Sequence, residues 1–161
     1  MKKIIIISSI SLIIFLVGSL TYIKLNPPLV IGTVASGNEK HIALVGVGNK
    51  GIKNIKITEA LVNNNEQPQE VKVQVSNPLK GFIITDSFDA VAKEYRIKNL
   101  GSVSIQPKTS PQIQFEKMDK GTATEKDISY GITIVQDQPI ETVIIKYRYL
   151  GLSFVEDITI N

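Results

Sequence analysis

The 161-residue chain contains no cysteine. That absence excludes a disulfide framework, a thiolate metal or redox site, and a lipid anchor carried on an acylated cysteine. The Asn-x-Ser/Thr glycosylation acceptor is missing too, although asparagine is frequent. Both absences suit an exported bacterial protein better than a eukaryotic secreted one. Catalytic parts are scarce. His41 is the only histidine and no Gly-x-Ser-x-Gly occurs, so the usual acyl-transfer arrangements have almost no parts. His41 opens an apolar run and reads as a surface or edge residue. No glycine-rich loop precedes a helix, because Gly46-x-Gly48 and Gly48-x-x-Gly51 read as parts of a hairpin.

Acidic residues are absent from the first 24 positions, which hold Lys2, Lys3 and Lys24. The whole chain has 18 basic and 15 acidic residues, so fifteen of each remain after Lys24. A domain balanced in this way has no net cationic field for polyanions, which argues against a nucleic-acid partner.

What is present at the amino terminus is a charge-free run of twenty residues, Ile4 to Ile23. As a helix it covers about 30 Å, the thickness of a bilayer's hydrocarbon core. Thirteen of the twenty are Ile, Leu, Phe or Val. On an insertion scale these contribute roughly −4 to −8 kcal/mol before the smaller costs of the hydroxyl residues. The lysines before the run predict a cytoplasmic amino terminus and an extracytoplasmic remainder. A signal peptide cleaved after Val17 and Ser19, giving a secreted protein, is the competing reading, but no Ala-x-Ala precedes such a cut. Asn26-Pro27-Pro28 should end the helix. The expected organisation is a cytoplasmic tip and signal-anchor helix over 1–24, a connector over 25–28 and an extracytoplasmic domain over 29–161. Six connecting residues reach about 20 Å at most, so the domain should sit close to the lipid.

Beyond Pro28 the apolar period is mostly two, the mark of strands with one face on a core. Val71-Val73-Val75, Ile128-Tyr130-Ile132-Ile134 and Val143-Ile145-Tyr147-Tyr149 carry it most clearly. Further strands are expected over 29–35, 40–47, 53–62, 81–85, 103–106, 113–117 and 152–160, with a short helix or irregular loop over 86–100. Turn residues at 48–51, 63–65, 77–78, 137–139 and 150–151 separate the runs. The pattern predicts an all-β antiparallel sandwich.

The turn Gly48-Asn49-Lys50-Gly51 with the following Ile52 to Ile57, and Val103 to Lys108 with its apolar-x-Pro, resemble the strand-turn patterns of bacterial immunoglobulin-like domains. Taken with Met1-Lys2-Lys3, the Ile-rich span and the closing Ile145 to Phe154, the whole chain resembles small membrane-anchored proteins of low-GC Gram-positive bacteria. The resemblance implies an immunoglobulin-like extracytoplasmic domain and carries no functional residues. The cysteine and tryptophan pins of antibody domains are missing.

No residue stands out as catalytic, cofactor-binding or metal-binding, and no cofactor is expected. The acidic groups Asp86 with Asp89, and Glu125 with Asp127 near Asp119, lack calcium-loop spacing and read as solvated turn residues. A surface hydrolase or calcium-binding protein built on them is the alternative reading. Around the last turn, Tyr147 and Tyr149 should face the core. Arg148, Leu150 and Leu152 are then the candidate contacts for a partner. The favoured reading is a non-enzymatic membrane-anchored module that binds or supports another cell-envelope component. A subunit acting through its membrane helix is a second alternative.

Overall fold

The computed structural model describes the backbone of residues 2–160 and the side chains of residues 9–160. Helix α1 (Lys2–Leu25) comes first, and nine strands follow: β1 (Leu29–Gly37), β2 (Ile42–Asn49), β3 (Ile55–Val62), β4 (Glu70–Ser76), β5 (Ile97–Asn99), β6 (Ser104–Ile105), β7 (Ser129–Val135), β8 (Thr142–Tyr149) and β9 (Leu152–Thr159). Two short helices, α2 (Phe88–Val91) and α3 (Pro111–Asp119), interrupt them. The strands form two antiparallel sheets with orders β1-β2-β7-β4-β5 and β6-β3-β8-β9.

A single apolar layer lies between the sheets. Val45, Val73, Ile132 and Ile134 enter it from the first sheet, and Ile55, Ile57, Val143, Ile145 and Tyr147 from the second; all are essentially inaccessible. These are the residues of the period-two pattern, because alternate side chains of a strand share one face. Tyr147 stacks on Phe154 with ring centroids 5.1 Å apart. Their burial and stacking stabilise the β8–β9 hairpin.

The first sheet is covered on its outer face as well, which makes every residue of β2 buried. Its sequence, Ile42-Ala43-Leu44-Val45-Gly46-Val47-Gly48, is a continuous apolar run rather than an alternating one. A strand buried on both faces has that composition. Two segments form the outer cover: α3 and the stretch 77–84.

Three local expectations need correction. Residues 113–117 are helical, not extended. Ser110 precedes Pro111 at the first turn of α3, where proline's fixed φ suits a helix and its missing N–H costs nothing. Residues 81–85 join no sheet. Ile83 bonds instead to the buried side chain of Gln74, whose Oε1 accepts from the Ile83 N–H at 3.0 Å while Nε2 donates to the Ile83 carbonyl at 2.6 Å. A side-chain amide has replaced a neighbouring strand. Gly48 to Gly51, finally, is no hairpin. β2 belongs to one sheet and β3 to the other, so this segment is a corner between them. Asn49 makes the corner, its fully buried amide donating to the Lys53 and Ile105 carbonyls at 2.8 and 3.0 Å and accepting from the Gly51 N–H at 2.8 Å. The stretch 86–100 resolves into α2, β5 and the start of a 3-10 turn over Leu100–Ser102.

Among the described residues no helix is long and apolar enough to cross a membrane. The first part of the expected span, Ile4 to Ser8, lies outside the described side chains. From Ile10 to Leu20, α1 exposes Ile10, Leu12, Ile13, Ile14, Phe15, Leu16, Val17 and Leu20 by about half or more. Its carboxyl end meets the sandwich. Lys24 Nζ donates to the Ser153 carbonyl at 2.5 Å and lies 4.7 Å from the centre of the Phe154 ring.

Candidate functional site

Small residues on the outer face of the first sheet let its cover approach the backbone. A methyl group at Gly48 would lie 2.2 Å from the Thr109 carbonyl oxygen, and one at Gly32 would lie 2.5 Å from the Pro111 ring. Gly131 occupies the same face beneath Phe82, whose ring a Cβ would meet at 2.9 Å. Only glycine admits covers at that distance. α3 therefore sits over β1 and β2, the 77–84 stretch sits over β7, and the two do not meet in the middle.

The gap between them is a cleft of about 370 Å³, within the range of roughly 300–1,000 Å³ that ligand sites occupy. Leu44 and Gly46 form its floor, Phe82 and Ile84 one wall, and Phe115 and Met118 the other. Phe115 and Met118 are half exposed and Ile84 is 39 % exposed, so apolar surface lies open to solvent along both rims. Thr33, Asn77, Thr109, Ser129 and Tyr130 add polar atoms to the lining, and so does Gln114. It is buried, its Nε2 donates to the Ile128 carbonyl at 3.3 Å, and its Oε1 has no hydrogen-bond partner. The Ile128 carbonyl fixes which amide atom is the nitrogen, so turning the amide over would set two oxygens face to face. An unsatisfied buried acceptor is uncommon in a folded protein and marks a place where a donor is wanted. Tyr130 also lines the cleft; its hydroxyl accepts from the Gln106 N–H at 3.4 Å, and burial pushes the phenol up from its ordinary value.

An ion pair holds the α3 wall. Lys117 on α3 donates to Asp127 Oδ1, while Asp127 Oδ2 accepts from the Thr124 N–H at 2.8 Å and from its hydroxyl at 3.0 Å. The Lys117 ammonium, followed by the Thr124 amide, holds the Asp127 carboxyl below the ordinary aspartate range. Asp127 thus acts as an anchor for the cleft. Glu125 and Asp89 are exposed, and Asp86 accepts from the Ser87 hydroxyl at 3.2 Å. Among the described residues no group of three or more His, Asp or Glu stands where it could hold a metal ion. His41 is half-buried, its Nδ1 3.2 Å from the Gln136 carbonyl.

The partner-contact residues expected at the last turn lie elsewhere, at the end of the sandwich where α1 enters. Arg148 and Leu150 are exposed, whereas Leu152 is half-buried and packs against the core. Leu150 and Gly151 form a two-residue turn between Tyr149 and Leu152, both with positive φ, 49° and 79°. The Tyr149 hydroxyl accepts from the Ile52 N–H at 3.0 Å, joining this turn to the β2–β3 corner.

The cleft itself escaped the sequence reading, because its walls come from segments 77–84 and 111–118, far apart in the chain. Two signals pointed toward it. The unbroken apolar run of β2 required cover on both faces, and glycines at 32, 46, 48 and 131 in neighbouring strands marked close approach. Comparison with protein-family models, with curated proteins and with solved structures finds no match to this chain.

Proposed function

We propose that this chain is a membrane-anchored, extracytoplasmic immunoglobulin-like module without catalytic activity, which binds an apolar segment of another cell-envelope component in the cleft over its five-stranded sheet. The observation that carries the reading is the cleft: apolar floor and walls, open rims, and a single unpaired acceptor on Gln114. An apolar ligand gains from burial there, and one with a hydrogen-bond donor also satisfies an oxygen that is otherwise left costly and bare.

Strand order supports the immunoglobulin-like part. The order β1-β2-β7-β4 facing β3-β8-β9 follows the A-B-E-D and C-F-G sheets of the constant-type fold. The stretch 77–84, α2, β5, β6 and α3 then form an insertion between D and E, and this insertion builds both walls of the cleft. The anchor is supported by α1, whose apolar side chains from Ile10 to Leu20 are about half exposed or more. A helix apolar all round requires a partner or lipid. The likeness to membrane-anchored proteins of low-GC Gram-positive bacteria belongs to the same proposal.

A photoreactive residue replacing Met118 in the full-length chain, expressed in living cells, tests the reading. It should form one reproducible adduct with an envelope component, and the same group at the exposed Val155 of β9 should not. No adduct from Met118, or identical adducts from both positions, removes the cleft as the binding site.

A further inference from the structure

The charge balance of the sandwich conceals a segregation. Four stretches meet at the end where α1 enters: residues 24–29, the corner 49–54, the loop 106–110 and the turn 148–153. Hydrogen bonds join them, from the Lys50 N–H to the Pro28 carbonyl at 3.0 Å, from the Thr109 N–H to the Asn49 carbonyl at 3.2 Å, from Lys24 to Ser153, and from Ile52 to Tyr149. These stretches hold five basic residues, Lys24, Lys50, Lys53, Lys108 and Arg148, and no acidic one. All five are exposed. Among the described residues none of them is paired with a carboxylate; Lys40, Lys72, Lys80, Lys117, Lys120 and Lys146 are paired, and Lys56, Lys93, Arg96, Lys98 and Lys126, outside these stretches, are not. Since residues 25–161 are neutral as a whole, the rest of the sandwich is net acidic.

Apolar side chains crown the same end. Ile52 is 80 % exposed and Leu150 49 %. Leu150 is also misplaced by ordinary turn chemistry. With positive φ at both central residues, Leu150-Gly151 has the hairpin geometry that Asn-Gly takes readily. A leucine there is strained by its Cβ. The fold gains little from an exposed side chain in a strained position, and an outlier of this kind points to a use outside the fold.

We propose that this end of the sandwich docks on an anionic bilayer surface, with Ile52 and Leu150 entering the headgroup layer and the five cations facing lipid phosphates. The inference rests on the anchored reading of α1. A chain that leaves the bilayer near Lys24 and begins its first strand at Leu29 presents this end, and no other, to the lipid. Each cation near an anionic surface favours contact by about fivefold. A module held flat in this way carries its cleft on the side of the sandwich, at a fixed height above the membrane.

The chain's lack of cysteine allows a single labelled site. Full-length protein with Asn54→Cys carries a fluorophore at the basic end; a second preparation with Gln138→Cys carries it in the β7–β8 connection. Both are reconstituted into phosphatidylcholine vesicles with or without about a third phosphatidylglycerol, containing lipids with a headgroup-level quencher. The Asn54 label should be quenched in the anionic vesicles and the Gln138 label should not. Arg148→Gln or Lys50→Gln should each lower the docked-to-free ratio about fivefold, and about 1 M salt should abolish docking. Leu150→Ser with Ile52→Ser should lower it further. Quenching that is equal in both vesicle types and indifferent to Arg148→Gln would mean that the tether alone sets the distance, and the proposal fails. So does an unquenched Asn54 label in protein that resists alkaline carbonate extraction. Extraction of the chain by carbonate, by contrast, would overturn the anchored reading itself and this inference with it.

Discussion

The side-chain amide of Asn49 donates to the backbone carbonyl of Ile105 at 3.0 Å, from a site with no solvent exposure, and so ties the last residue of β2 in one sheet to β6 in the other. The same side chain closes the corner on Gly51 and Lys53. Asn49→Ala leaves two carbonyls and one N–H without their partner, and each such group costs about 1–3 kcal/mol if water cannot reach it. Allowing for partial hydration of the corner, the loss of stability should be about 2–4 kcal/mol in urea unfolding. A loss below about 0.5 kcal/mol would mean that the corner is held by something else.

Gly48→Ala and Gly151→Ala separate two reasons for glycine. At Gly48 the new methyl meets the Thr109 carbonyl oxygen and the Ser110 Cα, both backbone. The α3 cover must move, costing about 1–3 kcal/mol and opening the cleft. At Gly151 there is open space, and only the positive φ resists, at about 1 kcal/mol. Gly18→Ala, which meets nothing and lies inside α1, should not lower stability and should favour the helix by up to about 1 kcal/mol. Thermal midpoints of the three variants check the order.

Gln114→Leu should separate folding from binding. It removes the unpaired Oε1 together with one long bond to Ile128, and these effects offset to within about 1 kcal/mol. Stability is then nearly native while the Met118 adduct is lost. A large loss of stability with the adduct intact would show that Gln114 is a structural residue only.

Acid should loosen α3 before the rest. The Asp127 carboxyl lies below its ordinary value of 3.8 in the folded chain, so its ion pair stabilises fully above that value and is lost as pH falls through the lower, folded one. Asp127→Asn should remove this part of the acid response and, above that window, unfold like wild type at low pH. Circular dichroism melts of the two chains, taken from about pH 5 downward, measure it. Identical acid profiles would sink the assignment.

Leu150→Asn should raise stability by up to about 1 kcal/mol, since asparagine tolerates the left-handed turn that leucine resists. A destabilised variant would mean that Leu150 packs where the structure leaves it exposed.

Most strands were legible because their cause is local. In β4, β7 and β8 alternate Val, Ile and Tyr meet a core that the rest of the chain has only to supply, and a period of two survives any strand order. Residues 113–117 misled for a related reason. Ile113 and Phe115 alternate like a strand, but Ser110-Pro111 starts a helix, and that helix buries Gln114 and leaves Phe115 half exposed. The 81–85 stretch has strand composition, but it joins no sheet, and the Gln74 side chain takes up the backbone N–H and carbonyl of Ile83.

By itself the sequence determined that the domain is an antiparallel β-structure with Tyr147 and Tyr149 inward, that no thiol chemistry is present, and that cations precede an apolar run. These follow from composition and from patterns a few residues long. Only tertiary structure decided which strands share a sheet, that Gly48 to Gly51 turns between sheets, that segments 77–84 and 111–118 frame a cleft, and that five exposed cations without a carboxylate partner among the described residues gather at one end from four separate stretches. Such features depend on residues distant in the chain meeting through side-chain hydrogen bonds like those of Asn49 and Gln74, and no local pattern encodes a meeting of that kind.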